Sequence, residues 1–522
     1  MKCMDAAFRL AQFHGLPWFP KAGGRCGIVA AGLLSLTAAA QTGGLSALQS
    51  RLSNHIDAPR FEAAAWGVKI ASLETERIIF ERNPQKLLKP ASNAKLYTGA
   101  LALDRLGPDF RIKTSLLSHA RPDRSGNLRG DLVVFGRGDP TFSARFHDGA
   151  HTNLLSPLAD ALVAAGVRRV QGDLIGDESF FRGPPMGSQW AWQDLQNYYG
   201  AETSSLTVED NTVDLIFSPG AKQGMPCRIL SLQEPGYLHF DNRARTTAAG
   251  GLRDIRLYRP IGENTVYVMG GLPVGATNFI DAIAVHQPAR WFVSLLAAEL
   301  ARHGIRVAGK TRTMNWLDRD ARPDSAVSLI ELASVSSPPL AEMLPKMLKP
   351  SQNLYAQLLL LQVGAQRSGG AEGLTNAAVE TEQLAIAALR AFIAETGIDP
   401  DTVLLEDGSG LSRGTLVTAN ATVALLTWMH HHPPGRVFKE SLPIAGIDGT
   451  LRHRMKGTAA AGNARAKTGT LRYVNTLSGY VTTKAGEQLV FSFMLNNYDG
   501  PGARPALDAM VVMLAELDAR TN

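Results

Sequence analysis

Three cysteines in 522 residues, Cys3, Cys26 and Cys227, are too few for a disulfide framework or a cysteine-based metal site. The first two fall in a stretch that reads as removable, so Cys227 is left alone and is expected to be a buried, inert thiol. Aromatic residues make up 7% of the chain and charged residues 19%, against 45% apolar, which excludes a disordered, charge-rich polymer and predicts a globular fold. No sign of charge dominates. The formal net charge is +6 and falls to +3 without the four Lys/Arg and one Asp of residues 1–40; spread along the chain, it does not describe a nucleic-acid binder. Internal repeats and low-complexity tracts are absent, and no second long apolar run follows residue 40. A chain of this length exceeds one ordinary core and implies two or three domains.

The one apolar run that does occur, "CGIVAAGLLSLTAAA", follows Lys2, Arg9, Lys21 and Arg25 and ends in small residues suited to cleavage after Ala40. It is shorter than the roughly 20 residues a membrane-spanning helix needs. Residues 1–40 are therefore predicted to be an export signal, with the mature protein soluble and outside the cytoplasm; a retained anchor is the alternative.

Past the signal, "WGVKIASL" and "RIIFER" are β-rich runs separated by "ETE", which predicts a hairpin. "NAKLYTGALALDRLG" then carries Leu96, Ala100, Leu101, Ala102 and Leu106 at helical spacing until Gly107 and Pro108. The next 170 or so residues are mostly short strand-like runs between Gly/Pro turns, with one clear helix in "SPLADALVAAG". Helical patterns return in "ARWFVSLLAAELARHG", "SQNLYAQLLLLQVG", "NAAVETEQLAIAALRAFIAETG" and "ATVALLTWMHHH". "ARAKTGTLRYV", "TLSGYVTT" and "LVFSFMLNN" read as three successive antiparallel strands, and a last helix is expected near Pro505 to Leu517. A hairpin at one end and three strands at the other predict a single α/β domain split by a β-rich insertion.

Ser92 and Lys95 stand at the start of the first of these helices, one turn apart on one face. A serine hydroxyl is a poor nucleophile until a base takes its proton, and a lysine is a base only when burial next to another cation keeps it neutral, so the pair needs a second cation. Alone the pair is ambiguous, because serine is an ordinary helix cap and lysine an ordinary solvated residue. Two further segments change the weight. "SQN" at 351–353 precedes an apolar helix, and "KTG" at 467–469 opens a strand. Ser-x-Asn recurs at Ser125, and Lys-x-Gly at Lys21, Lys222 and Lys484, but only one set has the order and setting of the Ser-x-x-Lys, Ser-x-Asn and Lys-Thr-Gly combination.

With these three motifs the chain resembles the D-alanyl-D-alanine carboxypeptidase/endopeptidase branch of the low-molecular-mass penicillin-binding proteins. The resemblance extends over nearly all of the mature chain, through "GRGDPTF", "WAWQDLQNYYGA", "LTVEDNTVDL", "DGSGLSR" and "LPIAGIDGTLRHRM". Ser92 and Ser351 lie 259 residues apart, room for the inserted domains of that branch. The implied fold is a serine DD-peptidase/β-lactamase-like domain, an antiparallel sheet flanked by helices, over 41–115 and 281–522. Residues 116–280 would form the inserted β-rich region, divided into two nested subdomains.

The same resemblance implies roles. Ser92 would be acylated by the penultimate D-alanine of a peptidoglycan stem peptide, Lys95 would be its base, Ser351 would relay the proton, and Asn353 would hold Lys95 and the substrate. Lys467 would depress the Lys95 pKa and, with Thr468, bind the terminal carboxylate, beside Gly469. The backbone N–H groups of Ser92 and Thr470 would form the oxyanion hole. Asp194 would approach the free amine of the stem-peptide diamino acid, with Tyr199 and Leu471 lining its pocket. Neither metal nor organic cofactor is required, penicillins would be covalent inhibitors, the periplasm is the expected location, and any membrane association would be loose.

Other features read as structural. "HHH" at 430–432 is expected to be a solvated helix end before Pro433 and Pro434, and "GRGDP" lacks the third glycine of a dinucleotide site. "DGSGLSR" reads as a tight turn supporting the cleft, since Ser409 has no lysine at the right spacing. The rival functions are a serine β-lactamase and a catalytically silent peptidoglycan-binding scaffold.

Overall fold

Apolar residues alternating along Gln488–Asn496 build the centre of the fold: Leu489, Phe491, Phe493 and Leu495 enter one core while Val490 and Met494 enter another. In the computed structural model, which describes residues 44–233, 236–321, 329–367 and 379–521, this strand is the middle of a five-stranded sheet. The order is Ile78–Arg82, Ala65–Ser72, Gln488–Asn496, Val474–Thr482, Arg465–Leu471, antiparallel throughout. The expected N-terminal hairpin and three C-terminal strands thus form one sheet. The predicted export signal lies outside the described residues.

Helices Leu45–Ile56 and Ala503–Ala515 cover one face through Leu48, Leu52, Met510 and Leu514. Against the other lie Ala94–Leu106, Leu340–Leu348, Asn353–Arg367, Thr381–Glu395 and Ala419–His431, sharing a core that includes Leu101, Met347, Leu358, Phe392 and Leu425. Residues 94–103 of the first of these are buried in succession, as in a helix surrounded on all sides. Leu96, Leu101 and Leu103 each contribute about 1.5–3 kcal/mol through that burial.

Separate sheets and a separate core occupy the middle of the chain. One five-stranded sheet has the order Thr311–Met314, Leu174–Asp177, Leu132–Phe135, Lys113–Ser118, Ile330–Ser336. Helices Ser156–Ala164 and Pro288–Arg302 pack on it through Leu158, Leu162, Trp291, Phe292 and Leu296. Smaller sheets join Thr212–Ser218 to Arg228–Ser231 and Phe279–Ala284, and Thr265–Pro273 to three short neighbours. Elements on both sides of residue 281 therefore share this core. Cys227 is buried in it. No helix among the described residues is long and apolar enough to cross a membrane.

Candidate active site

Pro90 ends the preceding loop, Ala91–Asn93 make one tight turn, and the Ala94–Leu106 helix follows directly. Ala91 is fully buried with a positive φ of 47°, a conformation that surrounding structure must impose on a residue with a Cβ. Two glycines let the neighbouring backbone come that close. A Cβ on Gly410 would stand 2.0 Å from the Ala91 carbonyl oxygen, and one on Gly469 would stand 2.6 Å from that of Pro90. The turn carrying Ser92 is thus wedged between the "DGSGLSR" loop and the edge strand Arg465–Leu471.

This wedge brings all three sequence motifs into contact. Lys95 Nζ donates to Ser92 Oγ at 3.0 Å, Asn353 Oδ1 at 2.6 Å and the Ser409 carbonyl at 2.8 Å. Lys467 Nζ donates to Ser351 Oγ and to the Thr468 carbonyl, both at 2.8 Å. The Thr468 hydroxyl meets that of Thr450 at 2.8 Å, and Asn353 Nδ2 donates to the Tyr199 carbonyl at 2.8 Å. Each lysine lies against the oxygen of a serine that keeps some exposure to the cleft.

Both lysines are fully buried. Loss of water pushes Lys95 from 10.5 down to about 7, the Asp407 carboxylate opposing the shift. Burial likewise holds Lys467 well below its ordinary value, and repulsion from Lys95 lowers it further. For Lys95 burial is therefore the cause of the lowering; the repulsion between the two cations acts on Lys467. Asp407 is spent on its own loop and on one distant side chain: it accepts from the Ser409 hydroxyl at 2.5 Å and the Gly410 N–H at 3.0 Å, and from the Trp190 indole at 2.9 Å. With its hydroxyl bound there, Ser409 serves the site through its carbonyl.

Asp194 is buried in the short Trp192–Asp194 turn and faces Arg413 at 3.3 Å, so it is neither a surface carboxylate nor a bare cap. Burial raises its pKa; Arg413, a backbone N–H and Tyr199 oppose the rise. Tyr199 touches both this carboxylate and, through its carbonyl, Asn353. Thr470 and Leu471 end the edge strand half-buried, on the side of the cleft carrying Lys467 and Thr468. Sequence reasoning missed three participants: the Ser409 carbonyl, Thr450 and Arg413. Arg413 and Ser409 sit within "DGSGLSR", the segment read only as a supporting turn. The histidine run ends its helix as expected but is less solvated than expected: only His431 is exposed, while His432 packs against Trp428 and meets Asp104 at 3.1 Å.

The chain is similar to known proteins over most of its length. The model of the D-Ala-D-Ala carboxypeptidase 3 (S13) family matches residues 48–517. A D-alanyl-D-alanine carboxypeptidase of Actinomadura sp. (strain R39) is 35% identical over 486 residues, covering 90% of this chain and 85% of the relative. The D-alanyl-D-alanine carboxypeptidase DacB of Haemophilus influenzae is 27% identical over 446 residues, 84% of this chain and 86% of its own. The crystal structure of penicillin-binding protein 4 (DacB) from Haemophilus influenzae superposes with a TM-score of 0.73 at 26% identity, covering 89% of this chain and 97% of that one. By the extent of that match and the identity to its relatives, the chain belongs to the D-Ala-D-Ala carboxypeptidase 3 (S13) family.

Proposed function

We propose that this serine D-Ala-D-Ala carboxypeptidase is exported to the periplasm and cleaves peptidoglycan stem peptides through an acyl-enzyme on Ser92. One observation carries the assignment: a fully buried lysine, pushed down to about 7, donates a 3.0 Å hydrogen bond to the only serine at Ser-x-x-Lys spacing.

Neutral Lys95 takes the Ser92 proton as Oγ attacks the carbonyl carbon of the penultimate D-alanine. The tetrahedral oxyanion is held by the backbone N–H groups of Ser92 and Thr470. Collapse breaks the peptide bond, and the departing amine receives a proton through Ser351, which Lys467 orients. Water then attacks the ester, releasing the stem peptide and restoring Ser92. The terminal carboxylate of the substrate binds Lys467 and Thr468, beside Gly469. Its negative charge favours the protonated form of Lys467, and that positive charge in turn keeps Lys95 neutral. Carboxypeptidase and endopeptidase turnover differ only in the amine that leaves.

Asp194 and Arg413, with Tyr199 and Leu471, form the proposed pocket for the far end of the stem-peptide diamino acid. The paired charges support a group bearing both an ammonium and a carboxylate. The catalytic domain is proposed to comprise the segments outside 113–336. Strand pairing of Ile330–Ser336 with Lys113–Ser118 supports this wider insertion over the 116–280 expected from the sequence. The helix Pro288–Arg302 resembled those of the catalytic domain in sequence because an amphipathic pattern does not name the core it packs on.

The test is intact-mass spectrometry of the mature protein with benzylpenicillin over time, beside D-alanine release from a stem pentapeptide. A persistent penicilloyl adduct that Ser92→Ala abolishes, with D-alanine released by the wild type, is the expected result. An adduct that vanishes within seconds without peptide turnover would make the protein a β-lactamase, and no adduct would make it a silent scaffold.

A further inference from the structure

The segment Ser351–Asn353 carries two of the proposed catalytic groups but is held largely by a residue far from it in sequence. Ser351 has a φ of +66°, so its backbone needs external support to keep Oγ beside Lys467. The next residue, Gln352, is buried and spans two partners: its Oε1 accepts from the Leu354 N–H at 3.1 Å, and its Nε2 donates to Asp210 Oδ2 at 3.0 Å. Tyr355, one helical step further on, donates its hydroxyl to Asp210 Oδ1 at 2.6 Å.

Asp210 belongs to the inserted region and is itself held with unusual firmness. Glu209, Asp210 and Asn211 have successive φ values of 50°, 56° and 56°, three left-handed residues in a row, none of them glycine. Side chains on either side pin this turn: Glu209 meets His151 at 2.9 Å, and Asn211 Nδ2 donates to the Glu202 carbonyl at 2.8 Å. The Asp210 carboxylate also accepts from Ser143 Oγ at 2.8 Å and from Arg145 Nε. Each carboxylate oxygen thus takes one donor from the insertion and one from the segment flanking Asn353, and the acceptor capacity of the group is filled. Despite burial its pKa is held below the ordinary carboxylate value, with Arg145 the largest opposing influence. A carboxylate buried in a strained turn, with half its partners in another part of the chain, exceeds what stability of the turn itself requires.

We infer that Asp210 is a positioning residue for the reaction at Ser92, clamping Gln352 and Tyr355 so that Ser351 and Asn353 stay in register with Lys467 and Lys95. This rests on the catalytic reading proposed above. It assigns the inserted region a part in the chemistry: it supplies one wall of the second motif.

The experiment measures benzylpenicillin acylation of the mature full-length protein and its variants Asp210→Asn and Gln352→Met. Two quantities are read separately, the first-order acylation rate constant at saturating drug and the fraction of protein finally labelled. Gln352→Met cuts one of the two links while leaving the Tyr355 and Arg145 bonds to Asp210 whole, so it keeps the test valid should Asp210→Asn not fold. Positioning predicts a rate constant lowered about 10- to 100-fold, the scale on which displacing a reacting group by about 1 Å acts, with the labelled fraction unchanged in Gln352→Met. A merely structural role lowers the labelled fraction and leaves the rate constant of the surviving protein at the wild-type value, which would overturn the inference. So would wild-type behaviour in both quantities. A wild type that forms no adduct would instead overturn the catalytic reading on which the inference rests.

Discussion

Acylation of Ser92 is expected to slow about tenfold for each pH unit below about 7, because only the neutral form of Lys95 can take the serine proton. The direction follows from the sign of the shift. Burial disfavours the ammonium, so the proton leaves Lys95 near neutrality instead of at 10.5; acid restores the charge and removes the base. At pH of about 5 only about 1% of the lysine would be neutral, and above about 8 the rate should level off. A displacement from 10.5 to about 7 corresponds to roughly 5 kcal/mol against the charged form, undiminished by solvent because the side chain has no exposure. Lys467, lowered as well, should turn that plateau down on its alkaline side, because benzylpenicillin and the stem peptide both present a carboxylate to it. The assay is quenched-flow mass spectrometry with saturating benzylpenicillin, recording the first-order rate constant across the pH range. A flat profile through neutrality, or a midpoint near 10.5, would refute the assignment of Lys95 as a base made neutral by burial. The same shift acts on stability. Between about 7 and 10.5 the unfolded chain binds the proton that the folded protein rejects, so the Lys95 contribution to stability rises with pH in that window and is constant below it.

Two further outcomes follow from the geometry. Asp194→Ala should slow turnover of stem peptides whose diamino acid carries a free amine while leaving simple D-alanyl-D-alanine peptides unaffected; equal slowing of both in a kcat/KM comparison would reduce Asp194 to a structural partner of Arg413. Gly469→Ala should cut penicillin acylation by about 100-fold, since its Cβ would lie 2.6 Å from the Pro90 carbonyl oxygen and 2.2 Å from Thr476 Oγ1. Those two atoms are already hydrogen-bonded to each other at 2.7 Å and have little freedom to move apart. Wild-type labelling in that variant would mean that the serine turn does not depend on close approach of the edge strand.

What could be read from sequence was short in range. Ser92 and Lys95 share a face because three residues are nearly one helical turn, and the hairpin and C-terminal strands announce themselves by alternation. The extent of the insertion was less legible, because Pro288–Arg302 would show the same amphipathic pattern on either core. Short motifs singled out the candidate side chains, but main-chain groups have no residue-type signature, so the Ser409 carbonyl that holds Lys95 could not be singled out. Arg413 opposite Asp194, and Thr450 opposite Thr468, are likewise joined by the fold across stretches no periodicity connects.

By itself, then, the sequence determined the family, the order of the three motifs and the strands and helices that carry them, all of which depend on neighbours in the chain. The tertiary structure alone decided which carbonyl, hydroxyl and carboxylate face each lysine, and how far each lysine is removed from water. A lysine is written into the chain, but its readiness to act as a base is not: it comes from burial among helices contributed by segments hundreds of residues apart.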